Sequence, residues 1–362
     1  MKKWVGKNLF KILKIASAFI GIIVGAGFAS GQEVLFYFTS FGHMGTIGAI
    51  LATAFFAYLG MILTRLGSRT QTTSHKEVIY KISGRYLGVV VDAIIVFTLF
   101  GVGVVMIAGA GSILNQQFGL APVIGSVIMV VMVMITIMLN VEKVIGVIGS
   151  ITPFLVITII LVGVYSLLTL DLSFNELEPI AKSQESGLPN WFISAINYVS
   201  FNIAVGAAMS LVLGGAEKNE KTAALGGLVG GLTLGIMIIL SHLAIFSKVD
   251  AVAGFDMPML KIVDDISPVL AIGMSIILFG MIFNTAVGMF YAFVARFFEM
   301  NTKKSNLAIV LTGIVAFFAS FAGFTDLVAF FYPLIGYLGL FLVAALIYSP
   351  FKMAKDRRSK AG

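Results

Sequence analysis

Gly21-Ile22-Ile23-Val24-Gly25-Ala26-Gly27-Phe28-Ala29-Ser30-Gly31-Gln32-Glu33 lies within an apolar run near 12–40, longer than the roughly 20 residues that a helix needs to cross a bilayer. Inside lipid every backbone N–H and C=O must find a partner, so a helix is interrupted only where the freed groups line a cavity or meet a ligand. Four glycines followed by serine, glutamine and glutamate are the marks of such an interruption. The glutamate matters most, because a carboxylate at that depth is costly unless it is paired, protonated or wetted.

The rest of the chain sets this stretch in a membrane. Of 362 residues 59% are hydrophobic and 11% charged, and the apolar residues fall in long runs. Such runs recur near 12–40, 45–64, 87–112, 121–140, 144–170, 191–214, 222–247, 269–295, 306–323 and 327–349, which predicts an all-α integral membrane protein of about ten spans. With the N-terminus inside, every Lys and Arg except Lys182, Lys248 and Lys261 falls on the cytoplasmic side, so both termini are expected in the cytoplasm and the chain in the cell membrane. A basic start followed by Ala26-Gly27-Phe28-Ala29-Ser30 resembles a cleavable signal. Because the apolar run continues through Val34-Leu35-Phe36-Tyr37-Phe38, a retained first helix is the more economical reading. Two connections outside the membrane are expected, a loop at about 171–190 and a short helical hairpin at about 248–268.

Composition also excludes classes of function. No cysteine is present, which removes disulfides, thiol nucleophiles and cysteine-ligated metals; His43, His75 and His242 lack metal spacing, and no nucleotide loop is found. Nothing reads as an enzyme or as a nucleic-acid binder, since the net charge of +7 sits in short loops rather than on a soluble basic face.

The chain also echoes itself. Ile22-Ile23-Val24-Gly25-Ala26-Gly27 in the first span recurs half a chain length later as Ile203-Ala204-Val205-Gly206-Ala207-Ala208 in the sixth, and Thr152-Pro153-Phe154 is echoed by Tyr332-Pro333-Leu334. One membrane domain over 1–362 is therefore expected to hold a five-helix repeat at 12–170, a second at 191–349, and a basic cytoplasmic tail at 350–362. Five is odd, so the second repeat enters the membrane inverted. Breaks are expected at equivalent depth in spans 1 and 6, where Asn197, Ser200, Asn202 and Gly206 stand. Carbonyls freed at the end of one half-helix attract a cation or ammonium, and the N–H groups of Ala26, Gly27 and Phe28 attract a carboxylate, so a zwitterion suits both ends. The packing alternative is that the glycines simply allow tight helix crossing.

Glu33 is open to two roles, proton acceptor or counter-charge to a substrate ammonium or cation, against the alternative of a residue facing a watery vestibule. Asn284-Thr285 in span 8 offers side-chain oxygens for a small cation unless Thr285 bonds its own helix. Asp92, the other acid inside a span, follows Arg85 by seven residues and is expected to pair with it near the cytoplasmic interface. Phe28, Tyr198, Phe201 and Tyr291 are candidates to cover a ligand.

On these residues the sequence resembles the amino acid, polyamine and organocation (APC) superfamily with its five-plus-five, LeuT-type fold, and more narrowly the YkvI-type bacterial membrane proteins, a group assigned as amino-acid permeases. The resemblance implies substrate contacts from Gly25, Ala26, Gly27 and Phe28 and from Ser200, Phe201 and Asn202. It also implies a sodium site made by the Gly21 and Val24 carbonyls with Asn284 and Thr285. Family members with a second sodium carry Asn near Ile22 and an outer-gate Arg near Gly31, and this chain has neither. Some proton-coupled members place Lys in span 5 at the sodium position, whereas Lys143 stands at the start of that span. Sodium at the inner site and proton coupling through Glu33 both stay open.

The expectation is a cation-coupled secondary transporter for a small amino acid or related amine solute, with no cofactor beyond a sodium ion or proton. Its partners would be a small-molecule substrate and membrane lipid. The rivals are a non-transporting ligand sensor on the same fold, as in spore germinant receptor subunits, and a channel.

Overall fold

The computed structural model describes residues 2–72, 75–139 and 152–361. Among them the chain is helical, with no strand. The first span is divided into α1 (Lys2–Ile23), α2 (Ala26–Ser30) and α3 (Gln32–Tyr37). There follow α4 (His43–Thr70), α5 (His75–Phe118), α6 (Pro122–Leu139) and α7 (Thr152–Leu168). After a short helix α8 (Phe174–Lys182) come α9 (Trp191–Gly215), α10 (Glu220–Phe246), the small α11 (Val249–Val252) and α12 (Pro258–Ile266), then α13 (Pro268–Ala295), α14 (Lys303–Ala319) and α15 (Phe324–Ala361).

Eight of these, α4, α5, α6, α9, α10, α13, α14 and α15, contain a stretch long and apolar enough to cross a membrane among the described residues. The remaining two expected spans are the divided first one and α7. Lys143 and the start of the fifth span lie outside the described residues.

The helices pack in two groups. In one, α4 lies along α10 and α9, and α1 leans on α10 and α9; in the other, α5 packs against α13 and α6, with α14 on α6. α15 runs between α9 and α5 and joins the groups. Lipid tails are as apolar as leucine, so helices associate in membranes through close van der Waals contact and hydrogen bonds rather than by hydrophobic expulsion. The α4–α10 crossing shows both. A Cβ added at Gly60 would stand 2.6 Å from the Gly227 carbonyl, and one at Gly227 would run into the Gly60 carbonyl. Beside them the Thr64 hydroxyl lies 2.8 Å from both the Gly60 and the Ala223 carbonyl oxygens. His242, fully buried on α10, adds a clamp: Nδ1 is 3.0 Å from the Thr39 hydroxyl just after α3, and Nε2 is 2.8 Å from Thr46 on α4.

Charged residues collect at opposite ends of the bundle. At one end of α4, Arg65 and Arg69 reach Glu220 at 3.6 and 3.1 Å, beside Lys11 and Glu217 at 3.2 Å. At its other end, about 40 Å away for a helix of this length, His43 lies 3.6 Å from Glu178, which binds Lys182 at 2.8 Å. Each of the three lysines that the sequence places outside is paired: Lys182 with Glu178, Lys248 with Asp171, and Lys261 with Asp265.

The connection at 171–190, expected as a plain loop, contains α8, started by a Ser173–Glu176 capping box. The expected hairpin at 248–268 is the pair α11 and α12, and α12 buries Pro258, Met259, Leu260, Ile262 and Val263. It is pinned to the second group: Asp256 accepts from Ser112 at 2.6 Å and from Thr325 at 2.7 Å, while Gln116 and Met257 exchange two bonds of 3.0 and 3.1 Å.

Gly227→Leu forces α4 and α10 apart and should cost roughly 1–3 kcal/mol, read as a lower melting temperature in detergent. Gly273→Ala, whose Cβ meets nothing within 4 Å, should not lower the melt, because alanine favours the helix. An unaltered melt for Gly227→Leu would contradict the close crossing.

Candidate functional site

The first span breaks where the sequence places the break. Val24 still donates to Ile20 at 2.7 Å, but Gly25 is extended (φ −96°, ψ −179°), and the helical bonding resumes with Ala29 donating to Gly25 at 3.1 Å. Two sets of polar groups are thereby released. Among the described residues no backbone N–H reaches the carbonyls of Gly21 and Val24, and Ala26, Gly27 and Phe28 open a helix, where N–H groups have no intrahelical acceptor. An extended backbone suits any residue, so Gly25 is not demanded by its dihedrals. What its missing side chain provides is space: a Cβ there meets nothing within 4 Å, and the residue is partly exposed.

A second interruption, not expected from the sequence, follows at Gly31. Its φ of +88° ends α2 and starts α3. Glycine enters this left-handed region without the steric cost borne by other residues. Space is scarce as well, since a Cβ would come within 2.7 Å of Met259 and 2.9 Å of Ile245. The two breaks leave α2 as one short turn of helix between hinges, fastened by the Ser30 hydroxyl to the Gly27 carbonyl at 2.8 Å.

This double break lets Glu33 fold back over α2. A Cβ at Gly27 would collide with the Glu33 carboxylate, so glycine is what allows the carboxylate to lie across the opening of that helix. The donors facing Glu33 are the Tyr198 hydroxyl and the Phe28 backbone N–H. Its Oε2 and the neighbouring Gln32 Oε1 find no hydrogen-bond partner among the described residues. Glu33 is 3% exposed and is the one buried carboxylate among them; no lysine or arginine is buried with it. The alternative of a residue facing a watery vestibule does not fit this placement, since the side chain is enclosed by protein. A carboxylate enclosed in this way needs a proton or a cation.

Aromatic rings surround the site. Tyr37 and Tyr198 lie 5.0 Å apart between centroids, and Phe201 stacks on Tyr332 at 4.1 Å and 20°. The Tyr37 hydroxyl donates to Asn197 Oδ1 at 3.1 Å. Tyr37 and Tyr332 escaped the sequence reading as site residues. The available signal was tyrosine in a chain rich in phenylalanine, because a buried hydroxyl must find a partner.

The expected break in span 6 is not there. α9 runs unbroken from Trp191 to Gly215, through Ser200, Phe201, Asn202 and the echo Ile203–Ala208. Two causes are visible. The second copy keeps a glycine, Gly206, at the place of Gly25 but has Ala204 and Ala208 where the first has Ile23 and Gly27, and alanine is the best helix former. Its polar side chains are already engaged: Asn197 donates to the Pro333 carbonyl at 2.9 Å, Ser200 to Gly336 at 2.6 Å, and Asn202 to Tyr198 one turn back at 3.0 Å. Gly206 serves packing, since a Cβ there would strike Ile23 at the end of α1.

Asn284 and Thr285 lie partly buried midway along α13, a helix that touches α2. Thr285 makes no bond to its own helix, unlike Thr53, Thr64, Thr70 and Thr98, each of which donates to the carbonyl four residues earlier. Asp92 pairs with Arg296, Nε lying 3.1 Å from Oδ1 and Nη2 contacting Oδ2; the side chain of Arg85, the partner expected from the sequence, lies outside the described residues. The reason is topological, because α5 and α13 pack side by side. Tyr291 is exposed, away from the rings around Glu33. A cavity of about 670 Å³ beside Asp92 and Arg296 is lined by Phe97, Phe100, Phe293 and Phe297, with no residue from the first span or α9.

No family model matches the chain. It is 29% identical over 349 residues to the uncharacterized membrane protein YkvI of Bacillus subtilis (strain 168), covering 96% of this chain and 97% of that protein. It is 25% identical over 332 residues to the uncharacterized protein YyaD of the same organism, covering 91% and 94%. Among solved structures it is similar to the inward-facing conformation of Mhp1, with a TM-score of 0.58, 13% identity, and 93% of this chain on 75% of that one. A Na+-coupled sialic acid symporter matches with a TM-score of 0.52, 16% identity, and 95% on 85%. The manganese transporter of Eremococcus coleocola matches with a TM-score of 0.52, 13% identity, and 83% on 69%. Together with the apolar spans these likenesses establish a multi-pass membrane protein of LeuT-type fold.

Gly27→Ala should lower the melting temperature by displacing Glu33. Adding Glu33→Ala should return most of that loss, a coupling of about 0.5–3 kcal/mol between neighbours in contact. Purely additive effects would contradict the contact between them.

Proposed function

We propose that this chain is a cation-coupled secondary transporter of a small amine-bearing solute, an amino acid or related amine, working by alternating access around the break in its first span. The observation that carries the reading is the released backbone at Val24–Gly25, open to space on one side and flanked on the other by a buried, incompletely partnered carboxylate. A chain that only needed to pack would not hold both inside a bilayer. The division into two packed groups supports the mechanism, with α1 to α3, α4, α9 and α10 moving against α5, α6, α13 and α14. The Na+-coupled sialic acid symporter and the manganese transporter of the same fold support the class of activity.

In this reading both termini face the cytoplasm and the protein sits in the cell membrane. The Gly21 and Val24 carbonyls, at the negative end of the α1 dipole, join Asn284 and Thr285 to hold a sodium ion. The unengaged Thr285 hydroxyl and the two carbonyls without backbone partners fit such hard oxygen ligands. Gly25, Ala26, Gly27 and Phe28 with Ser200, Phe201 and Asn202 border the solute. The solute and coupling ion bind together before the helices rock.

Proteoliposomes preloaded with an unlabelled mixture of amino acids and amines should take up a labelled member by counterflow, saturably, with concentrative uptake collapsing when the ion gradient is dissipated. Linear, unsaturable flux would make the protein a channel, and ligand binding without exchange would make it a sensor. Thr285→Ala should raise the sodium concentration for half-maximal uptake at least about tenfold, the effect of losing one charge-assisted contact. Unchanged sodium dependence would remove Thr285 from the ion site.

A further inference from the structure

A zwitterionic solute would place its carboxylate on the amides that open α2 and its ammonium on the carbonyls that end α1. The first of those places is taken. Glu33 lies across Gly27, faces the Phe28 N–H and the Tyr198 hydroxyl, and is buried with no lysine or arginine buried alongside it among the described residues. A solute carboxylate arriving there would meet a like charge in a poorly screened setting and would compete for the same donors.

The side-chain acceptors left unsatisfied beside the break are instead suited to a cation. Glu33 Oε2 and Gln32 Oε1 are buried acceptors lacking donors. The rings of Tyr37, Tyr198, Phe201 and Tyr332 offer electron-rich faces of the kind that attract ammonium groups. A divalent metal ion would ask for several charged or imidazole ligands, and no group of three His, Cys, Asp or Glu side chains is found among the described residues.

We infer that the transported solute is an organic ammonium ion carrying no carboxylate of its own, with Glu33 as its counter-charge. The inference rests on the transport reading above and narrows it: amines fit, and their parent amino acids do not.

The test compares matched pairs on the unmutated full chain: agmatine with arginine, cadaverine with lysine, tyramine with tyrosine, and choline with glycine betaine. Thermal shift in detergent and counterflow in proteoliposomes are read for each compound. At least one amine should stabilise the protein and exchange, and its carboxylated partner should bind at least about tenfold more weakly. Glu33→Gln should weaken the amine by roughly tenfold to a hundredfold, the range for removing a charged partner, and Gly27→Ala should weaken it while the carboxylate is kept. An amino acid that binds as tightly as its amine, amine binding untouched by Glu33→Gln, or no shift with any of the eight compounds would overturn the inference. Exchange of amino acids alone would overturn it and leave the transport reading standing. Amine binding without exchange would overturn transport and keep only the recognition of an amine by Glu33. A Glu33→Gln protein that fails to fold leaves the matched pairs to decide.

Discussion

A carboxylate folded over a glycine, with no lysine or arginine buried among the described residues, is the constraint to which the surrounding structure answers. For Glu33 to lie over α2, residue 27 must lack a side chain and the chain must turn sharply at Gly31. That turn brings Gly31 against Met259 and Ile245 and so draws α12 and α10 over the end of the first span. Burial without a counter-charge is costly in lipid. The unpartnered Glu33 Oε2 is the observation behind the proposed role as counter-charge to a bound cation.

The surroundings divide into parts that can yield and parts that cannot. Glycine-to-backbone contacts and the Thr64 hydroxyl lock α4 to α10, and His242 fastens the end of the first span to both. α9 is bound to α15 by Asn197 and Ser200. The short α2 stands between an extended residue and a left-handed one. The asymmetry between the two halves follows from this. The first half supplies the open backbone, and the second supplies a straight helix whose polar side chains orient tyrosines toward it.

Much of this was legible in the sequence. The ten spans followed from apolar run length, and the break at Val24–Gly25 from glycines placed next to buried polar residues. The short helices over 248–268 could be seen in their mix of proline and apolar residues. The missing break in span 6 shows where the reasoning failed: an echo of small residues signals close packing as readily as an opened backbone, and only the partners of Asn197, Ser200 and Gly206 separate the two. The Asp92–Arg296 pair was out of reach because it joins helices far apart in sequence. The fold of Glu33 over Gly27 was hidden for another reason, since it depends on the left-handed turn at Gly31, which four closely spaced glycines do not single out.

Because the chain contains no cysteine, one substitution tests the central claim, that the interrupted backbone of the first span borders a water-filled route within the membrane. Gly25→Cys places a thiol where the backbone is extended and no atom stands within 4 Å. In sealed membrane vesicles a membrane-impermeant maleimide should label this thiol from one side, and a bound solute should slow the labelling. A thiol at position 25 as unreactive as one placed at the fully buried Phe19 would contradict the account.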